Sequence, residues 1–455
     1  MGVVRVPIMT KGDQMNRIRA VSAVAAAVML TGATASCSTS ASGAGGDGAS
    51  GQGTTLTYWA TNQAADVSVD AKILTPELAK FTAQTGIKVD LQVIPWATLS
   101  AKLLAASVSG QGPDVANCGN TNIASIGATG AFITFDSQTL DAIGGQNKFI
   151  PTVFGSTGNP PTSVPLYAQA YGLFYNKQMF ADAGLTPPTN WQDLVADAKK
   201  LTVPSKAQYG MALDGNSNQG QHMAFIFGHQ NGSGPFGPAG ESTFTNDGMV
   251  AGVKQYLDLM SSGVVNPSDA QYTSDAQVLG DFANGKAAMV MTQTGGIATL
   301  NSLGMNPNSY GMVRIPAPSP LPTGGNDISS FVAGSNITVF KSTKHRDDAL
   351  KLVQFMTSKS EQTVLDKEYG VLPVLKDSDS NFLGDQTDKA KAFMDILNNN
   401  ALPFPTTANV NGMQTNVGAA VNGLLGQVAT GKTVTSADIK AALQAAQDKT
   451  SAVTK

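Results

Sequence analysis

The chain has 455 residues, of which 42% are hydrophobic and 13% charged, and its formal net charge is -3. This length and apolar content suffice for roughly two or three domains with buried cores. No basic block and no acidic tail interrupts the sequence, which argues against a nucleic-acid-binding surface. Because only 13% of the residues are charged, the polar surface must consist largely of Ser, Thr, Asn, Gln and Gly.

The N-terminal segment has the pattern of a secretory signal peptide. Arg17 and Arg19 precede an apolar run over 20–30, which is too short for a permanent membrane span. Small residues follow, so residues 1–36 match a basic region, a short apolar region and a cleavage site. A buried helix is the alternative, which the Gly/Ser-rich tract after it disfavours. The sequence leaves three candidate initiating methionines, Met1, Met9 and Met15.

The residues around the predicted cleavage site carry a second pattern. Thr34-Ala35-Ser36-Cys37 resembles a bacterial lipobox, although Thr34 stands where that motif usually has Leu. The resemblance implies that Cys37 is the lipidated first residue of the mature chain, on a flexible linker over 37–53. Cys118 then has no intramolecular partner, and the competing interpretation is a Cys37–Cys118 disulfide.

Beyond the linker, strand and helix patterns alternate. The predicted elements are a strand at 56–59, a helix that starts at Thr75-Pro76 and stops at Gly86, a strand at 87–93, a helix at 98–108 and a strand from Val115. Alternation at this spacing indicates βαβ units around a mostly parallel sheet.

A second run of the same kind begins near Pro165. Thr189 and Gln192 predict a capping box for a helix that ends at Lys200. The later elements are a buried strand at 287–291, a second capping box at Ser358 and Glu361, and a final helix at 437–448. The pattern predicts two α/β bodies, while the spacing alone leaves open how often the chain passes between them.

Four stretches carry a resemblance to a known family. They are 81–89 (FTAQTGIKV) with 102–115 (KLLAASVSGQGPDV), 164–202 (from VPLYAQAYGLFYNKQMF to DAKKLT), 285–289 (GKAAM) before Gly295-Gly296, and 339–373 (from VFKSTKHRDDALKLVQFM to YGVLP). In this order they resemble the extracellular solute-binding proteins of bacterial ABC importers, the class that contains the maltose-binding protein. The resemblance covers most of the chain from Thr54 onward.

The resemblance implies an α/β, two-lobed periplasmic-binding-protein-like fold of type II, a Venus flytrap with three interlobe crossovers. The crossovers would fall near 167–172, 313–316 and 369–375. The expected lobes are 54–168 with 314–370, and 169–313 with 371–455. Such a cleft closes by hinge motion, because a solute contacts both lobes only in the closed state.

Polar residues follow several predicted strands, where the ligands of open α/β sheets collect. Amides donate and accept hydrogen bonds, which suits the hydroxyl groups of a sugar. The expected ligand-binding residues are Asn62, Gln63, Asn120, Tyr167, Gln169, Tyr171, His222, Thr294, Gly295 and Asn409. A loop Asn is more often a turn former than a ligand contact, and Trp96 is expected to pack rather than to reach the cleft.

Two positions bear on the size and charge of the solute. Sugar-binding relatives often have an acidic residue where this chain has Gln169. The tryptophans of maltose-type sites are absent, with Cys118 and Ile297 near their positions. The resemblance therefore implies a small saccharide rather than a long maltodextrin.

One motif points elsewhere and is rejected. Residues 426–433 (GQVATGKT) match the phosphate-loop pattern, but a working loop follows a strand and opens a helix. Here 416–428 predicts a helix, and the motif is its glycine-ended exit. H-E-x-x-H, G-x-S-x-G and C-x-x-C motifs are absent, so neither an enzyme nor a cofactor or metal is expected.

The sequence thus predicts a lipid-anchored extracellular component of an ABC importer, on the outer face of the cell membrane. It would capture a small saccharide in an interlobe cleft, as a monomer, and deliver it to permease subunits. Its other contact would be the membrane, through the lipid, with no nucleic acid. The alternatives are a binder of a charged solute, such as a polyamine or organic anion, and a secreted sugar-active enzyme.

Overall fold

A computed structural model describes residues 53–64, 66–378 and 382–453. The predicted signal peptide, Cys37 and the linker up to residue 52 lie outside the described residues. Within the described ranges, no helix combines the length and the apolar composition that crossing a bilayer requires.

Strands and helices alternate along the chain. The strands are β1 Thr55–Thr61, β2 Lys88–Ile94, β3 Val115–Gly119, β4 Val164–Gln169, β5 Tyr171–Asn176, β6 Tyr209–Ala212, β7 Ala287–Gln293, β8 Tyr310–Val313, β9 Ser330–Val339 and β10 Ala401–Pro403. The helices are α1 Val67–Thr85, α2 Trp96–Ser109, α3 Asn120–Gly127, α4 Ser137–Ala142, α5 Pro151–Phe154, α6 Lys177–Asp182, α7 Trp191–Leu201, α8 Ser217–Gln230, α9 Asp247–Ser261, α10 Asp275–Ala283, α11 Gly296–Ser302, α12 Arg346–Met356, α13 Lys359–Tyr369, α14 Thr387–Asn399, α15 Val410–Gly412, α16 Gly418–Ala429 and α17 Ser436–Val453. Shorter turns are the 3-10 helices Gln146–Lys148, Pro204–Lys206 and Pro267–Gln271, and a π-helical turn at Met413–Val417.

Two sheets organise these elements. The larger sheet has the order β10-β9-β3-β1-β2, with β4 also paired to β9, and the smaller has the order β6-β7-β5-β8. β1 is parallel to β2 and β3, whereas β9 runs antiparallel to β3 and β4. In the smaller sheet β5 is antiparallel to β7 and β8. The α/β class is confirmed. The sheets are mixed rather than mostly parallel, because β5 follows a strand of the larger sheet and β9 follows a strand of the smaller one, so neither belongs to a βαβ unit.

The chain passes between the sheets at one very short connection and one longer one, over 314–329. Ala170 alone separates β4 from β5, and the chain returns between Val313 and Ser330. Farther on, Leu372 bridges Ala168 beside the larger sheet, while α16 and α17 pack against α8 and α9 of the smaller one. The third crossover and the exact lobe boundaries remain predictions.

Helix α1 begins earlier than its sequence suggested. The Asp66 carboxylate caps it by accepting from the backbone N–H of Ser68 and Val69, so Pro76 lies inside the helix rather than at its start. Its end at Gly86 is confirmed, where φ is 75° and glycine is favoured.

The N-terminal cap of α7 is displaced by one residue from the predicted position. The capping residue is Asn190 instead of Thr189. Its Oδ1 accepts from the backbone N–H of Asp193, and its Nδ2 donates to the Asp193 carboxylate. Asn ranks above Thr as a capping residue, so residue type favoured Asn190, and the capping-box spacing of Thr189 and Gln192 was misleading.

The phosphate-loop match lies where a phosphate loop cannot form. Gly426 is inside α16, and Gly431 follows the helix with φ 85°. The interpretation of this segment as a helix exit is confirmed.

Candidate functional site

Several of the expected ligand-binding residues meet where β4 becomes β5. Gln169 ends β4 and Tyr171 begins β5, while Gly295 directly precedes α11. A Cβ at Gly295 would lie 3.3 Å from Gln169 Oε1, so the glycine leaves room for this amide. Both residues are partly exposed, and the Gln169 side chain makes no hydrogen bond within the described chain. It is therefore available to a solute.

A second group surrounds the phenol of Tyr171. Its hydroxyl donates to Gln219 Oε1 at 2.9 Å and lies 2.8 Å from His222 Nδ1. The imidazole packs against the Phe331 ring, with centroids 4.6 Å apart. Burial lowers the pKa of His222 to about 3 and raises the pKa of Tyr171. Both side chains are therefore uncharged at neutral pH.

The loop after β1 is held by a buried carboxylate. Asp70 of α1 is fully buried and accepts from Asn62 Nδ2 at 2.6 Å and from the backbone N–H groups of Gln63 and Ala64. The Asn62 amide nitrogen is thus committed to the loop. The side chain of Gln63 is partly exposed and makes no hydrogen bond among the described residues.

Tyr167 belongs to a buried network that joins four strands. Its hydroxyl lies 3.1 Å from Thr61 Oγ1, and Asn117 Nδ2 donates to Thr61 Oγ1 at 2.7 Å and to Ser335 Oγ at 3.1 Å. Tyr58 donates to Asn117 Oδ1 at 2.9 Å. Tyr167 is only 3% exposed, and burial raises its pKa to about 12. The Tyr167 hydroxyl therefore stabilises the fold through these hydrogen bonds, and its contact with a solute remains a prediction.

Thr294 is fully buried at the same passage between the sheets. Its backbone N–H donates to the Ala170 carbonyl oxygen at 3.1 Å, and its Oγ1 accepts from the Ala170 N–H at 3.3 Å. Thr294 therefore fixes the connecting residue, which positions its neighbours on either side.

Asn120 and Asn409 lie on elements that flank this region. Asn120 Nδ2 donates to the Val332 carbonyl oxygen at 3.0 Å, and Asn409 Nδ2 donates to that of Gly240 at 3.2 Å. The Oδ1 atoms of both are buried and have no partner among the described residues. Two amide acceptors are thus left without donors.

Helices that belong to different sheets touch nearby. Asn411 Nδ2 of α15 donates to Ser125 Oγ of α3 at 2.7 Å. Ala124 of α3 is buried among apolar residues that pack on the smaller sheet. The two halves are therefore in direct contact along this edge.

Trp96 departs from its sequence expectation. It is 45% exposed, at the carboxyl end of β2, and its Cζ3 would lie 3.2 Å from a Cβ at Gly119. The expectation that it packs holds for only part of the ring, because the rest of the side chain is exposed. The sequence offered a signal for this exposure, because Trp96 follows a predicted strand closely. The same criterion selected the amide residues as candidates for ligand binding.

Two surface cavities lie away from these residues. One of about 460 Å³ runs along α9 beside Trp191, and one of about 300 Å³ lies between α5 and α14 beside Phe382. Neither includes an expected ligand-binding residue. Within the described ranges, no three His, Cys, Asp or Glu side chains are grouped as metal ligands.

Comparison with known proteins gives this arrangement a family. Residues 43–363 match the family model described as bacterial extracellular solute-binding protein. The diacetylchitobiose binding protein DasA of Streptomyces coelicolor is 25% identical over 348 residues, which cover 75% of this chain and 78% of that protein.

Solved structures share the fold. The ABC substrate-binding protein from Listeria monocytogenes in complex with cycloalternan matches with a TM-score of 0.72 and 18% identity, over 88% of this chain and 99% of that one. An ABC transporter solute-binding protein from Agrobacterium radiobacter in complex with ribitol matches with a TM-score of 0.70 and 23% identity, again over 88% and 99%. Since the family model spans most of the sequence and the folds agree, the chain belongs to the bacterial extracellular solute-binding proteins.

Proposed function

We propose that this protein captures a small saccharide at the passage between its two sheets and delivers it to an ABC permease. A lipid on Cys37 would hold the protein on the extracellular face of the cell membrane. The observation that carries the proposal is the neutrality of the polar groups at the passage. Gln169 offers an amide and His222 an uncharged imidazole there, and Gln63 offers a second amide in the loop after β1. Neutral donors and acceptors match hydroxyl groups, which carry no charge to be balanced.

Trp96 adds an apolar surface to this polar set. An exposed indole at a strand end can stack against the C–H face of a pyranose ring, a contact that favours sugars over flexible ions. The resemblance to proteins whose names give diacetylchitobiose and ribitol as their ligands supports the same class.

A charged solute has less support. The acidic residues beside the candidate loops in sequence are Asp66, whose carboxylate caps α1, and Asp214. The carboxylate of Asp70 is already occupied by donors of the loop after β1. Burial and the neighbouring Asp275 raise the pKa of Asp214, which disfavours its charged form. It would therefore hold a cation weakly.

The decisive experiment is thermal unfolding of the full-length chain with diacetylchitobiose, maltose, mannitol, ribitol, spermidine and a set of amino acids. A ligand that binds only the folded state raises the melting temperature by mass action. We expect a rise with one saccharide or sugar alcohol and none with spermidine.

Matched variants locate the site in the same assay. Gln169→Ala should reduce the rise, whereas Gln111→Ala, which removes an exposed amide beyond α2, should leave it unchanged. A rise with spermidine alone would overturn the saccharide proposal. An equal rise for both variants and the wild type would move the site away from Gln169.

A further inference from the structure

A series of hydrogen bonds runs from the backbone of β7 to the imidazole of His222. Gln219 Nε2 donates to the Met291 carbonyl oxygen at 3.2 Å, and Gln219 Oε1 accepts from the Tyr171 hydroxyl at 2.9 Å. The Tyr171 oxygen lies 2.8 Å from His222 Nδ1. Gln219 and Tyr171 are buried, so the protein rather than solvent orders these groups.

The first bond of the series decides the orientation of the Gln219 amide. In the reversed orientation, its oxygen would face the Met291 carbonyl oxygen, two acceptors with no proton between them. With the amide nitrogen on Met291, Oε1 faces the phenol. An amide oxygen can only accept, so the single phenolic proton of Tyr171 is directed at Gln219.

The direction of that proton decides the tautomer of His222. The Tyr171 oxygen has given its proton to Gln219, so its contact with Nδ1 requires Nδ1 to be the donor. The phenol thus donates to Gln219 and accepts from His222.

The other imidazole nitrogen remains available. Because burial keeps the imidazole neutral, protonation of Nδ1 leaves Nε2 as a bare acceptor. Among the described residues Nε2 has no hydrogen-bond partner, and it is not one of the fully buried atoms that lack one. Its lone pair therefore faces accessible space, beside the ring of Phe331.

We propose that Gln219 and Tyr171 hold His222 in its Nδ1–H form, so that Nε2 accepts a hydrogen bond from a hydroxyl of the bound solute. The inference rests on the proposed function and deepens it. Gln219 and Tyr171 are positioning residues, and His222 is the ligand contact. A hydroxyl satisfies this acceptor, whereas a carboxylate or phosphate oxygen brings no proton and is discriminated against.

The tautomer is measured in the ligand-free, full-length protein by two-bond ¹H–¹⁵N correlation spectra of the imidazoles. The chain has three histidines, and loss of signals in His222→Gln and His229→Gln identifies two sets. We expect His222 to show a protonated Nδ1 and a bare Nε2. A protonated Nε2, or a doubly protonated ring, would overturn the inference.

Two variants test the positioning residues. Tyr171→Phe removes the acceptor for Nδ1–H, and Gln219→Met removes the group that orients the phenol. Each should turn the His222 pattern into a mixture of tautomers and leave the His229 signals unchanged. An unaltered His222 pattern in both folded variants would show that another feature holds the tautomer.

A ligand series separates this inference from the proposed function. Diacetylchitobiose, maltose, mannitol and ribitol are added in turn, and the solute that binds should move the Nε2 resonance in the direction of hydrogen bonding. His222→Phe should weaken that binding roughly tenfold, the value of one lost hydrogen bond. Binding that leaves Nε2 unmoved would refute the contact but not the proposed function. Absence of binding by all four would refute the saccharide proposal, while the ligand-free spectra still decide the tautomer.

Discussion

At the scale of single residues, burial decides what each polar side chain does. Tyr167 and Gln169 stand two positions apart in β4, yet the first is enclosed among four strands and the second is partly exposed. The sequence identified both as polar residues on a crossover. It could not show which was enclosed, because that depends on the pairing of β4 with β9, a strand more than 160 residues later.

Tyr167→Phe should lower the free energy of unfolding by about 1 kcal/mol, because Thr61 and Asn117 lose a buried hydrogen-bond partner. Urea unfolding measures the change. Tyr209→Phe is the control, since Tyr209 is partly exposed and its hydroxyl makes no hydrogen bond within the described residues. An equal loss in both variants would show that the hydrogen bonds of Tyr167 do not contribute to the free energy of unfolding.

At the scale of elements, the sequence predicted most strands and helices but missed boundaries and partners. The alternation over 87–93 appears as β2, and the ends of α1 and α16 lie where glycine indicated them. The predicted start of α1 was wrong because Pro76 resembles a helix start, and only the fold shows that the cap is Asp66, ten residues before Pro76. The course of β9 depends on pairing between distant segments, which no local pattern contains.

Pro76→Ala should stabilise the protein by about 1–3 kcal/mol, because proline inside a helix lacks the N–H that an interior position donates. The residue is exposed, so the substitution opens no cavity. Urea unfolding is the measurement, and Thr75→Ala, at an exposed neighbour, is the control. A less stable Pro76→Ala protein would show that the proline is favoured in the conformation of α1.

The contact between α1 and α13 predicts a dependence of stability on pH. Burial, and then the adjacent Glu77, raise the pKa of Glu361 to about 8. The folded state therefore keeps a proton that the unfolded chain loses near the ordinary pKa of 4.5. Stability should fall as pH rises from about 4.5 to 8.

Glu361→Gln should remove part of this fall, on the order of 2 kcal/mol between pH 5 and pH 8, because glutamine needs no proton to remain neutral. Urea unfolding at the two pH values measures it. Glu368→Gln lies on the exposed face of the same helix and should leave the pH dependence as it is. If the free energy of unfolding of Glu361→Gln still falls by the wild-type amount between pH 5 and pH 8, other buried carboxyls, such as Asp366 and Asp269, cause the effect.

At the scale of the whole molecule, the question is where the protein is held in the cell. Its remaining cysteine, Cys118, is fully buried in β3, and burial raises the pKa of the thiol. A thiol in this state is a poor disulfide partner, which leaves Cys37 free for the lipid we propose.

Cys37→Ala should therefore release the protein from the membrane fraction into the medium, and mass spectrometry of the N-terminal peptide should lose the added acyl mass. Cys118→Ala should remain in the membrane fraction, since Cys118 lies inside the fold. Retention of the Cys37→Ala protein would exclude a lipid at this position.

The single residue between β4 and β5 has a mechanical consequence. Ala170 is fully buried, and Thr294 bonds to both its N–H and its carbonyl oxygen. A connection of one residue has no slack, so for the solute capture that we propose we expect it to act as a pivot between the two halves. Opening about this pivot would separate groups far from it, such as Asn411 and Ser125, which are hydrogen-bonded in this structure.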